Sequence, residues 1–252
     1  MVKIIPFFNQ AGGCSKTTLV QNVGYHLGER GNRVLLVDLD PQASLTSFCG
    51  LDPATLEKTL YNSLSKEEPL PIHSDLDGFD LVSSNILLAE CEQELVLALK
   101  REERLKDVLA PVRRKYDFIL IDCPPSLGLL SLIALVSGTH VLVPIQTHYK
   151  AFIGTGSLLK TVKMVQTRLN KSLKVAGFVP TLHEETKLNR AVLAAIHEQL
   201  ASVAPILPPL PKAIALAEAS EKGVPLARHS RAKKTQHLLD LFDKLAYELE
   251  EL

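Results

Sequence analysis

A β-prone run ending at Phe8 leads into Asn9-Gln10-Ala11-Gly12-Gly13-Cys14-Ser15-Lys16-Thr17-Thr18, and a helix-periodic stretch near residues 16–30 follows. Strand, small-residue turn, lysine, hydroxyl residues and helix in this order suit a bound phosphate. Small side chains let backbone N–H groups close around phosphate oxygens, and the helix start adds its positive dipole end. Lys16 supplies a cation for the outer phosphates of a nucleotide, and Thr17 a hydroxyl for Mg²⁺. Gly12, Gly13, Cys14, Ser15, Lys16, Thr17 and Thr18 are therefore the candidate phosphate cradle.

Apolar runs at 2–8, 34–37, 118–121, 141–145 and 175–179 lack polar alternation, so they read as strands covered on both faces. Helix-periodic stretches near 86–110, 127–137, 152–169 and 187–200 lie between or after them. The order predicts an α/β fold, a doubly wound, mostly parallel sheet flanked by helices of the P-loop NTPase type, in one domain over 1–252. Residues 50–78, with Pro53, Pro69, Pro71 and Gly78 among polar residues, read as an irregular excursion holding at most a short helix. The proline-rich stretch 205–211 precedes two late helices, the last over about 229–252.

The 46% hydrophobic and 22% charged composition fits a soluble globular chain rather than a disordered or membrane-embedded one. Basic and acidic residues balance at 28 each, so any attraction to nucleic acid must come from a local patch. Cys14, Cys49, Cys91 and Cys123 form no C-x-x-C pair and read as reduced thiols. No signal peptide or membrane span is visible, which makes the cytoplasm the expected location. Cys14, at a helix start, is a candidate oxidation-sensitive thiol, because the dipole lowers a thiol's pKa.

The run 34–37 ends in Asp38-Leu39-Asp40-Pro41-Gln42, and 118–121 ends in Asp122-Cys123-Pro124-Pro125. Both deliver carboxylates past the carboxyl end of a buried strand, the edge where nucleotides sit in open α/β sheets. There a carboxylate orients the attacking water or joins the Mg²⁺ shell. Asp40-Pro41 also suits the start of a turn that caps the next helix, and both uses are compatible.

These three motifs, together with Gly128 and Leu216-Ala217-Glu218-Ala219, resemble the ParA/MinD family of deviant Walker A ATPases over nearly the whole chain. The resemblance implies ATP and Mg²⁺ as cofactors, with Lys16, Asp40, Asp38 and Asp122 in catalysis and Thr17, Asp38 and Asp122 around the metal. It also implies an ATP-sandwiched homodimer, with residues 124–128 as a γ-phosphate sensor. Two positions depart from the pattern: Ala11 stands where the family has its signature lysine, and Ser15 where it has glycine. Lys150, after the run 141–145, is the candidate to supply the missing cation from the loop it occupies.

That combination resembles the carboxysome-positioning McdA branch. The branch implies non-specific binding to nucleoid DNA in the cytoplasm and hydrolysis stimulated by a cargo adaptor. The alternatives are a plasmid- or chromosome-partition ParA, or a nucleotide-dependent interaction protein without hydrolysis. Composition alone leaves Arg228, Arg231, Lys233 and Lys234 a solvated basic helix start, whereas the resemblance makes them the DNA contacts. It also points to Thr181, Pro211 and Lys212 for the adenine. The last helix has an apolar stripe through Leu238, Phe242, Leu245 and Leu249, but its acidic residues argue for packing against the protein and against membrane binding.

Overall fold

The structure, a computed structural model, describes residues 1–229 and 233–252. Seven strands form one sheet: β1 (Lys3–Phe7), β2 (Val34–Asp38), β3 (Ile72–Leu76), β4 (Phe79–Val82), β5 (Phe118–Asp122), β6 (His140–Gln146) and β7 (Lys174–Thr181). Their spatial order is β3-β4-β2-β5-β1-β6-β7, and only β3 runs antiparallel to its neighbour. The five strands expected from apolar runs are all present. The expectation for 50–78 is corrected, because β3 lies inside it and pairs with β4 in a hairpin turned at Asp77-Gly78. β4 in turn pairs parallel with β2, Leu36 opposite Leu81.

Around the sheet lie α1 (Lys16–Glu29), α2 (Ser44–Phe48), α3 (Leu60–Lys66), α4 (Leu88–Leu95), α5 (Arg104–Leu109), α6 (Leu129–Ser137), α7 (Tyr149–Arg168), α8 (Lys187–Leu200), α9 (Ile214–Glu221), α10 (Leu226–His229) and α11 (Gln236–Glu250). The single helix expected over 86–110 is two, because Lys100 takes a left-handed backbone (φ 54°) between them.

Alternate residues of each central strand serve opposite faces, as a period of two requires. Ile4, Leu35, Val37, Ile119 and Ile121 join the core beneath α3 to α8, whereas Ile5, Val34, Leu36, Phe118 and Leu120 join the core beneath α1, α9, α10 and α11. The apolar stripe of α11, with Leu238, Phe242, Leu245 and Leu249 all at or below 2% exposure, closes the second core. Burying each such side chain stabilises the fold by about 1.5–3 kcal/mol. α1 lies unusually close to the sheet's far edge, since a Cβ on Gly28 would stand 2.3 Å from the carbonyl oxygen of Gly78.

Candidate functional site

All the parallel strands end on one edge, and β1 and β5 bring Phe7 level with Asp122 there. Beyond β1 the chain turns through Gly13 (φ 67°) and Ser15 (φ 64°) into α1. Ser15 is the N-cap of α1 but makes no side-chain cap, and the first turn holds no acidic residue. A helix start without such a cap leaves N–H donors for an anion. Lys16 is 7% exposed and folds back over the turn, its Nζ donating to the carbonyls of Asn9 and Ala11, both at 3.1 Å.

Asn9 and Gln146, outside the sequence-derived set, and Thr181, within it, hold this shape. Asn9 Oδ1 accepts from the Ala11 amide at 2.9 Å, while its Nδ2 donates to Pro144 of β6. Gln146 Nε2 donates to the Gly13 carbonyl at 3.0 Å. Thr181, fully buried, donates to the Cys14 carbonyl at 3.2 Å. The expected adenine reader is thus turned into the backbone of the phosphate loop. Cys14 differs from the expectation of a helix-start thiol: burial outweighs the nearby Lys16 and pushes its pKa up rather than down.

Adjacent strands set Asp38 level with Asp122. Thr17 Oγ1 donates to Asp122 Oδ2 at 2.6 Å, and Asp122 Oδ1 is buried without a partner. Burial, then the charge of Asp38, hold the Asp122 carboxyl well above the usual carboxylate range. Such an orphaned oxygen beside a threonine hydroxyl fits Mg²⁺, which takes one or two protein ligands and completes its shell with water and phosphate oxygens. No group of three His, Cys, Asp or Glu side chains assembles a metal site among the described residues, so phosphate would have to share the ion.

Asp38 departs from the expectation, because its oxygens are already engaged. Oδ2 accepts from the Thr46 amide (2.8 Å) and hydroxyl (2.7 Å), and Oδ1 from the Asp40 amide (3.2 Å). Burial pushes its pKa up to about 7 despite these bonds. Ser84 completes the clasp: its amide donates to Thr46 Oγ1 at 2.9 Å and its hydroxyl to the Asp40 carbonyl at 2.8 Å. Asp40 is half-buried and its Oδ1 accepts from the Gln42 amide at 2.9 Å, the turn that Asp40-Pro41 suggests.

Lys150 is not in a loop but is the second residue of α7, exposed, four positions beyond Gln146. The same edge exposes Ile86 (65%), Leu127 (49%), Tyr149 (60%) and Ile153 (61%). Pro211 bridges to His183, and Lys212 pairs with Glu184 at 3.3 Å. Of the basic cluster, Arg228 is tied to Asp77 at 2.7 Å, Lys233 and Lys234 are exposed, and Arg231 lies outside the described residues.

A doubly wound sheet with this loop at its carboxyl edge and aspartates closing two neighbouring strands defines a P-loop NTPase. The AAA_31 family, an AAA domain, matches residues 2–175, and the chain belongs to it, within the ParA/MinD group of P-loop ATPases. The sporulation initiation inhibitor protein Soj of Bacillus subtilis is 38% identical over 251 residues, 98% of this chain and 99% of its own length. The chromosome-partitioning ATPase Soj of Treponema pallidum is 36% identical over 237 residues, 91% of this chain and 90% of its own. Among solved structures, cobyrinic acid a,c-diamide synthase from Mycobacterium smegmatis with bound ADP and magnesium is 37% identical at a TM-score of 0.80, covering 91% of this chain and 95% of that one. Apo McdA of Cyanothece matches at a TM-score of 0.88, covering 99% of this chain and all of its own; at 21% identity this likeness is one of fold.

Proposed function

We propose that this chain, acting as one unit over residues 1–252, is an ATP-driven partition switch. ATP and Mg²⁺ dimerise it, the dimer holds non-specific DNA, and hydrolysis stimulated by a cargo adaptor releases it. The observation that carries this reading is that Ile86, Leu127, Tyr149 and Ile153, all exposed, follow the carboxyl ends of β4, β5 and β6, the edge that holds the phosphate loop. Exposed apolar groups gathered on one face favour a protein partner, and a second copy meeting this edge would enclose two nucleotides.

In this reading Lys16 leaves the carbonyls of Asn9 and Ala11 for the outer phosphates of ATP, while the N–H groups at the start of α1 hold the remaining oxygens. Thr17 and Asp122 would hold Mg²⁺, which neutralises charge on the phosphates when bound. Asp38, engaged by Thr46, holds Asp40 in place rather than ligating the metal itself. Asp40 orients the attacking water. Lys150 reaches the partner's phosphates in place of the residue that Ala11 lacks; in a desolvated interface its charge favours both closure and phosphoryl transfer.

Arg228, Arg231, Lys233 and Lys234, doubled in the dimer, contact DNA phosphates, which places the protein in the cytoplasm on the nucleoid. Pro211 and Lys212 flank the adenine. The whole-chain similarity to Soj proteins favours a chromosome or plasmid cargo. A second reading, carboxysome positioning of the McdA type, is favoured by the pairing of Ala11 with Lys150.

Light scattering with ATP and Mg²⁺ tests the switch. The natural chain is expected to double in mass, Lys150→Ala to bind ATP yet stay monomeric, and Lys16→Ala to bind no ATP. Dimerisation of Lys150→Ala at the natural level would remove the relocated cation and the McdA-type reading with it. A natural chain that binds ATP and remains monomeric would sink the switch itself.

A further inference from the structure

The opposite edge of the sheet, where β1, β2 and β5 begin, holds a cavity of about 1030 Å³ that no step above uses. Its lining includes Lys106, Arg113 and Arg114, the apolar Met1 and Val2, and the buried Leu109, Phe118 and Val136. Charge bookkeeping there leaves a surplus. Arg33 is neutralised by Asp117 at 2.9 Å, and Glu250 by Arg30 at 2.8 Å. α6 and α11 both end at this edge, and two helix C-termini together present about one negative charge. Lys3 answers it, donating to the carbonyls of Leu249 (3.1 Å) and Glu250 (2.6 Å). Lys106, Arg113 and Arg114 are exposed, and none has an ion pair or side-chain hydrogen bond among the described residues. Three side-chain cations therefore remain uncommitted there, beside the Met1 terminal ammonium, in a chain whose formal net charge is zero.

We propose that this cavity binds a small organic phosphate with an apolar body, at a site separate from the phosphate loop. Two neighbouring guanidinium groups and an ammonium match the oxygens and charge of a phosphate, to which arginine binds bidentately. The apolar part of the lining, chiefly Met1 and Val2, accommodates the body of the ligand, as in small-molecule sites where a few polar groups fix orientation. Concavity separates this ligand from duplex DNA, whose backbone needs an extended surface.

The test uses the full chain carrying Lys16→Ala, which silences the phosphate loop, and N-methylanthraniloyl-AMP as a fluorescent probe. The protein is expected to bind the probe, unlabelled AMP to displace it, and Arg113→Glu with Arg114→Glu to weaken binding on the order of tenfold or more. Lys106→Ala, a milder surface change, is expected to weaken it several-fold. No binding, or binding that both variants leave unchanged, would overturn the proposal. So would displacement by inorganic phosphate as effective as by AMP, which marks a bare anion patch. Displacement by duplex DNA but not by AMP would reassign the surface to nucleic acid.

Discussion

Ser15 carries its side chain at φ 64°, a left-handed backbone that costs an L-residue about 1–2 kcal/mol and glycine little. Ser15→Gly is therefore expected to raise stability by about 1 kcal/mol in urea unfolding, with no change in the turn. Thr46 is the second test at this scale. Thr46→Val leaves Asp38 Oδ2 with the amide alone, so we expect a stability loss of about 1–3 kcal/mol. Steady-state hydrolysis should show a kcat decrease larger than any change in KM, because the Asp40 corner loosens while the phosphate loop stays intact. The loop and the two aspartate motifs were legible because each is a run of neighbours along the chain. The clasp of Thr46, Ser84 and Asp40 was not, since only folding joins residues 38 positions apart. Cys14 misled for a related reason: a local dipole argument ignores burial, and burial is a property of the whole fold.

The same contrast governs the elements. Buried parallel strands announce themselves as apolar runs, and five of the six did; β4, only four residues long and interrupted by Asp80, did not. β3 was missed because it is an edge strand with exposed polar residues, although the Asp77-Gly78 pair was a readable turn signal. The contact of α1 with α11 offers a pH test. His26, 12% exposed, stacks on Phe242 with ring centroids 6.2 Å apart, and its Nε2 has no partner. Burial lowers its pKa more than the acids facing it from both helices (Asp243, Glu29 and Asp240) can raise it, and Arg30 lowers it further. A lowered folded-state value means that protonation opposes folding. Stability is full above the ordinary value of 6.5 and falls as pH drops below it, until the folded protein also protonates. Thermal melts from pH 7.5 to about 5 should show this decline, and His26→Gln should flatten it. An unchanged slope in the variant would assign the decline elsewhere.

Over the whole molecule, charge is balanced in number but not in place. If the dimer binds DNA through Lys233 and Lys234, four lysines meet phosphates. Replacing both by Ala should then reduce the slope of log affinity against log salt by roughly 3 to 4, without altering sequence preference. An unchanged slope would place the DNA elsewhere. Within the phosphate loop, the carbonyls of Asn9 and Ala11 both accept from the Lys16 ammonium. In the proposed switch, loading asks the nearly buried Lys16 to exchange those two carbonyls for phosphate oxygens. That exchange is local to one loop, so in the proposed switch the meeting and parting of two chains is the clock.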